Sequence, residues 1–165
     1  MFATRALLIA VSLTGAVVLA PAAAAQEAPR TDRLEGIASR LDAEGSDVQQ
    51  LRRELEDVLR AEPATALEVP ALLRSGVVTD GTAALLIGKL EVVGSPEAQD
   101  GLRRIADDPA LSAMNRTRAL IALGGLSHPD QASVDALWSA HKVRGDAADR
   151  DRSNTAALSL GIVAR

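Results

Sequence analysis

The chain has 165 residues, 18 basic and 22 acidic side chains, a formal net charge of −4, and no cysteine. The missing cysteine excludes disulfides, thiolate metal ligation, a cysteine nucleophile and the lipid-bearing cysteine of a bacterial lipoprotein. Phe2 and Trp138 are its only aromatic residues, and with the acidic balance this argues against nucleic acid, which calls for a basic face and stacking platforms.

In chain order, the first segment reads as an export signal. Arg5 precedes an apolar run over residues 6–20, and small residues follow as Ala22, Ala23, Ala24 and Ala25. That is the order of charged, apolar and cleavage regions in a secretory peptide, with cleavage expected after Ala25. Pro21 closes the run after 15 residues, short of the roughly 20 that a membrane-spanning helix needs. The reading is therefore a signal peptide over 1–25, a short polar leader over 26–30, and one helical domain over 31–165 in the periplasm or outside the cell. Removing 25 of 165 residues leaves 140, enough for one domain with a core of its own. Arginine far outnumbers lysine, only Lys89 and Lys142 being present, and Ala, Gly and Asp are abundant; this composition suggests a GC-rich bacterial genome.

Helical periodicity begins at Leu34, Ile37 and Leu41, and Gly45 stops it. Ser46 with Gln49 three residues on predicts a capping box, opening a helix whose apolar stripe is Val48, Leu51, Leu55 and Val58. Arg52, Arg53, Glu54, Glu56, Asp57 and Arg60 form its solvated face. Pro63 fits the first turn of a third helix carrying Leu67, Leu72 and Leu73, kinked or shortened by Pro70. After Ser75 and Gly76, a start at Thr79 or Asp80 leads into Leu85, Leu86, Ile87 and Leu90. Ser95-Pro96-Glu97 then opens a helix bearing Leu102 and Ile105. Asp107-Asp108-Pro109 ends it. A helix through Leu120, Leu123 and Leu126, a break at Ser127-His128-Pro129, a helix through Val134, Leu137 and Trp138, and a polar loop over 144–152 follow. A last apolar helix is expected from about Ser153. No segment alternates with period two, so strands find no support, and about eight helices are expected.

The chain also repeats. Ala83-Ala84-Leu85-Leu86-Ile87-Gly88, Ala119-Leu120-Ile121-Ala122-Leu123-Gly124 and Ala156-Ala157-Leu158-Ser159-Leu160-Gly161 align with glycine always sixth, at periods of 36 and 37 residues. A helix pair cannot bury its own apolar face, whereas stacked pairs can, and a period of this size is typical of such stacks. A glycine inside a helix costs about 1 kcal/mol relative to alanine, so close packing or a local helix end is the expected cause of the recurrence.

The unit from Asp108-Pro109 through Arg116, Arg118-Ala119-Leu120, Ala122-Leu123-Gly124, Leu126, Pro129 and Ala136-Leu137 resembles a HEAT repeat of the short, phycobilisome-lyase-like type. The resemblance is clearest over 80–165 and implies a right-handed α-solenoid of stacked antiparallel helix pairs, used in most members as a protein-binding scaffold. It also implies an inter-repeat pairing of Asp108 with Arg118, for which Thr82 and Thr155 offer no basic equivalent in the neighbouring units. A weaker similarity to helical lipid-transfer domains of the vitellogenin type implies a carrier for lipid or another apolar ligand.

Motifs for chemistry are sparse. His128 and His141 with Asp130 and Asp135 lack the spacing of a metal site, and no nucleophile elbow or phosphate loop is present. No catalytic, cofactor or metal residue is assigned, and a hydrolase or lyase is the least supported class. The expected function is a non-catalytic binding module. Its candidate interface residues are Trp138, for which a core position is favoured, and Leu158, Leu160, Ile162 and Val163 on the last helix, whose apolar end, stopping in mid-repeat, is expected to meet another protein or a second copy.

Overall fold

A computed structural model describes residues 30–43, 47–143, 145 and 147–164. The expected signal segment, most of the leader, and the Gly45-Ser46 start signal lie outside the described residues. Among the described residues the chain is all-helical, with eight α-helices, one 3₁₀ segment and no strand. The α-helices are α1 (Arg30–Asp42), α2 (Val48–Ala61), α3 (Val69–Ser75), α4 (Asp80–Val93), α5 (Pro96–Asp107), α6 (Ala113–Gly125), α7 (Gln131–Lys142) and α8 (Ala147–Val163). The 3₁₀ segment, Pro63–Glu68, precedes α3. No described helix is long and apolar enough to cross a membrane.

Most helix starts are made by the side chains that short-range chemistry favours. Thr79, Ser95, Ser112 and Asp130 each accept a hydrogen bond from the backbone N–H three residues on, opening α4, α5, α6 and α7, and so satisfy amides that the helix leaves unpaired. Pro96 sits in the first turn of α5, where its missing N–H costs nothing. Gly76 and Gly94 close α3 and α4 with φ of 70° and 59°, the left-handed cap that glycine takes without strain.

Three local expectations are corrected or narrowed. The cap of α2 is Asp47, whose carboxylate accepts from the Gln49 and Gln50 amides; Val48 is then the first residue of the helix and, although on the side of Leu51 and Leu55, is exposed, while Leu51, Leu55, Val58 and Leu59 are buried. Of the kink or shortening expected from Pro70, the structure has the shortening: the chain forms the 3₁₀ turn first, and Pro70 falls within the first turn of the seven-residue α3, where its missing N–H donor is not needed by the helix. The last helix begins at Ala147, six residues before the expected start, taking in much of the expected loop. Asp149 in its first turn suits the helix dipole, and Arg152 donates to Asp107 at 2.6 Å, tying the new turn to the end of α5.

The core is one continuous cluster running from Leu34, Leu55 and Leu59 through Leu86, Leu90, Leu102 and Ile105 to Leu120, Leu123, Leu137 and Ala156. α4 packs beside α2 and α6, and α6 beside α8. α5 lies against the 3₁₀ segment, α3, α4, α6 and α7, and α7 lies against α8. Close approach is set by glycine at two of these contacts. A Cβ at Gly101 would stand 2.7 Å from the Ala66 carbonyl oxygen, and one at Gly124 would stand 2.5 Å from Ser159 Cβ.

Candidate functional site

Contacts between helices fix the direction in which four of them run. Glu56 in α2 pairs with Lys89 in α4, and a cleft brings Val48 and Arg52 beside Gly81 and Leu85. Early α2 therefore meets early α4, and later α2 meets later α4. Arg118 Nη1 donates to the Asp80 carbonyl at 3.3 Å, while Leu126, just beyond α6, sits against Gly94, just beyond α4. Ala113 and Arg116 line a cleft with Asp149 and Arg152, and Gly124 meets Ser159. Thus α2, α4, α6 and α8 lie side by side and parallel.

This parallel run gives the repeated hexamers a common geometry. Their third residue moves outward from α4 to α8: Leu85 is half-buried and packs against the edge of the core, Ile121 is 55% exposed and Leu158 is 74% exposed. Ile162, one turn beyond Leu158, is 57% exposed, and Val92 and Met114 are exposed on α4 and α6. A row of aliphatic side chains in water on adjacent helices is the kind of patch that marks a contact surface. On α8 the expected interface residues divide. Leu158 and Ile162 face outward, while Leu160 and Val163 pack partly against the core.

Trp138 belongs elsewhere. α7 turns Ser133, Leu137 and Ala140 inward, and one residue on from Leu137 is about 100° round the helix, so the favoured core position for Trp138 is not met. The indole is 49% exposed, makes an edge contact with the His141 ring at 6.0 Å, and lines a surface cleft with Asp135, Ser139 and Lys142.

The expected pairing of Asp108 and Arg118 does not occur among the described contacts. Asp108 pairs with Arg74 at 3.1 Å, and Arg118 also donates to Asn115 Oδ1 at 3.1 Å. Arg118 still reaches the preceding unit, through a backbone oxygen. Thr82, which has no basic side chain to offer, serves the corresponding junction one unit earlier, between α4 and the end of α1. Asp42 at the end of α1 accepts from the Thr79 amide and from the hydroxyls of Thr79 and Thr82. Burial pushes this carboxyl up, and the threonine hydrogen bonds outweigh it to hold Asp42 below its ordinary value.

The densest polar cluster joins α5 to α7. Gln99 Nε2 donates to the Gly94 and His128 carbonyls at 3.0 and 3.1 Å. Its Oε1 accepts from the Asp130 amide at 2.8 Å and Ser133 Oγ at 3.0 Å. Arg103 Nη1 donates to both Asp130 oxygens and to Ser133 Oγ. Burial pushes Asp130 up, and bonds from Ser133 and Arg103 bring it below the usual carboxylate range. Every member is satisfied by another, so the cluster serves as a clamp. The cap at Asp130 is legible in the sequence, but Gln99 carries no local signal; apart from Gly94, its partners lie about thirty residues away. His128 lends this clamp its carbonyl, and His141 Nδ1 lies 3.4 Å from the Ser153 carbonyl. Among the described residues no group of three His, Asp or Glu side chains converges as a metal ion requires.

One carboxylate sits awkwardly. Glu91, half-buried on α4, lies against Gly125 of α6, and desolvation raises its pKa above the ordinary glutamate value. A raised folded-state pKa means that the neutral form is favoured by folding; the stabilisation is fully present below the unfolded glutamate pKa and is lost as pH rises through the folded one. Glu91→Gln is expected to raise Tm at neutral pH, with the difference from wild type vanishing at acid pH. Thermal unfolding followed by circular dichroism across that range checks it, and a gain that persists unchanged in acid would contradict it.

No family model, no curated protein and no solved structure matches this chain.

Proposed function

We propose that this protein is an exported, non-catalytic binding module. Its parallel α2–α4–α6–α8 layer belongs to a HEAT-like, right-handed α-solenoid of antiparallel helix pairs and presents a surface to another protein. One observation carries the reading: the exposed aliphatic side chains Val92 on α4, Ile121 on α6 and Leu158 and Ile162 on α8 form a row on parallel, adjacent helices. Export rests on Arg5, the apolar run that follows it and the alanines before Gln26. The binding class is preferred to an enzyme because the polar side chains that do cluster, Gln99, Arg103, Asp130 and Ser133, are all spent on one another. The α8 end of the row, with Leu158 and Ile162, is where a protein partner or a second copy gains most apolar contact.

Photo-crosslinking tests this reading. A benzophenone amino acid at Ile121 or Leu158, with the protein in a periplasmic extract, is expected to give discrete crosslinked species. The same probe at Arg104, exposed on α5, is expected to give none. Equal labelling from all three positions, or none from Ile121 and Leu158, would remove this face as the binding surface.

A further inference from the structure

The α2 end of the same face differs in chemistry from the α8 end. Between α2 and α4 lies a cleft of about 340 Å³ lined by Gln49, Arg52, Arg53, Leu85, Gly88 and Val92, with Lys89 also at its wall. Lys89 is neutralised by Glu56, and Glu56 pairs with Arg60 as well. Arg52 and Arg53 are exposed and form no ion pair with any described residue. Arg52 also lines the adjoining cleft beside Val48 and Thr79, and Arg53 the one on its other side beside Arg33 and Asp57. Two unpaired guanidiniums therefore stand over an aliphatic floor, on a chain whose net charge is negative.

Gly88 adds an independent point. It lies within α4, has an ordinary helical φ, and a Cβ there would meet nothing within 4 Å. Neither backbone conformation nor helix packing accounts for it, and an interior glycine costs about 1 kcal/mol. What the missing side chain does provide is an open floor between Leu85 and Val92.

We infer that this surface binds an acidic, amphipathic peptide segment, its carboxylates held by Arg52 and Arg53 and its apolar side chains seated on Leu85, Gly88 and Val92 and along the row to Ile121 and Leu158. The inference rests on the protein-binding reading above and names the partner's chemistry. Charge complementarity selects the acid: guanidinium forks bind carboxylates bidentately and hold them at a defined place. The row's extent selects the peptide. Neighbouring helices stand roughly 8–10 Å apart, so the distance from Arg52 on α2 to Leu158 on α8 is roughly 24–30 Å, the length of about 16–20 helical residues. A compact small molecule would leave most of that surface uncovered.

The probe is a fluorescein-labelled 18-residue helical peptide with leucines at three- and four-residue spacing and glutamates in its first two turns. Its counterpart has lysine at every glutamate position, and vesicles of phosphatidylglycerol and phosphatidylcholine form the third arm. Fluorescence anisotropy with the purified chain is expected to show salt-sensitive binding of the glutamate peptide and at least ten-fold weaker binding of the lysine peptide. Arg52→Glu with Arg53→Glu is expected to weaken the glutamate peptide at least ten-fold. Gly88→Leu, which fills the floor, is expected to weaken it several-fold with Tm not lowered. No binding by the wild-type chain, unchanged affinity in the arginine variant, or stronger arginine-dependent binding to the vesicles than to the peptide would each overturn the proposal. If crosslinking from Ile121 and Leu158 persists while the arginine variant binds the peptide unchanged, the protein-binding face stands and only the acidic partner falls.

Discussion

Gly124→Ala is expected to destabilise the protein, whereas Gly88→Ala and Gly161→Ala, at the same register position of the repeat, are expected to stabilise it. A methyl group at 124 would stand 2.5 Å from Ser159 Cβ and 2.8 Å from Ser159 Cα. The near atoms include backbone, so α6 and α8 must separate to admit it. Overpacking of this kind costs about 1–3 kcal/mol, outweighing the alanine's better helix propensity. At Gly88 and Gly161 a Cβ meets nothing within 4 Å, and only the propensity gain remains, about 0.5–1 kcal/mol each. Urea unfolding of the three variants checks this through the midpoints, provided the m-values agree. Three shifts of the same sign would show that the repeated glycine has one role throughout, contrary to the contacts.

The second large effect is expected at Gln99. Gln99→Leu keeps most of the volume of a side chain in a residue only 4% exposed, and removes its four hydrogen bonds, three that tie α5 to the start of α7 and one to the Gly94 carbonyl before α5. The Asp130 amide and the Gly94 and His128 carbonyls lose their amide partner. Unsatisfied buried groups cost about 1–3 kcal/mol each, with water relieving those nearest the surface, so a loss of about 2–4 kcal/mol is expected. A double-mutant cycle with Ser133→Ala isolates the clamp, because the serine change should cost less once Gln99 is gone. Additive costs would mean that Gln99 acts by packing alone. As a comparison, Glu54→Ala removes a surface pair with Arg40 and should shift stability by less than about 0.5 kcal/mol.

The two effects bear on the proposed surface. Gly124 sets how closely α8 lies on α6, and therefore how far Leu158 stands from Ile121. The Gln99 clamp holds α7, which in turn supports α8. A variant of either residue is expected to disturb the outward row without touching it, whereas Arg52, Arg53 and Gly88 change the surface and leave these supports alone.

Much of the helical layout was legible without coordinates because its causes are local. Thr79, Ser95 with Pro96, and Pro129 with Asp130 open helices through bonds spanning three residues. Gly76 and Gly94 close helices through their own backbone freedom. Apolar spacing of three and four identified the buried sides of α5 and α6. Short-range cues also misled where two competed. The Ser46 capping box fits the pattern, but Asp47 binds two amides at once, and Pro70 reads as a kink only if the 3₁₀ turn before it is not foreseen.

The sequence by itself determined the helical class, most of the breaks, the 36- to 37-residue register and the aliphatic third position of each hexamer, all of which follow from propensity, capping and period. The tertiary structure alone decided what the register means. It turned Ile121 and Leu158 outward on parallel helices, kept Leu85 against the edge of the core, and placed Trp138 beside the seam that Leu137 fills. It also gave Gly124 a neighbour while leaving Gly88 and Gly161 open, and separated Asp108 from Arg118. These outcomes depend on contacts between residues some 30 to 40 positions apart, where a difference of one residue turns a side chain about 100° round its helix. Local patterns state which residues can lie on one face, and packing between helices selects which face is buried.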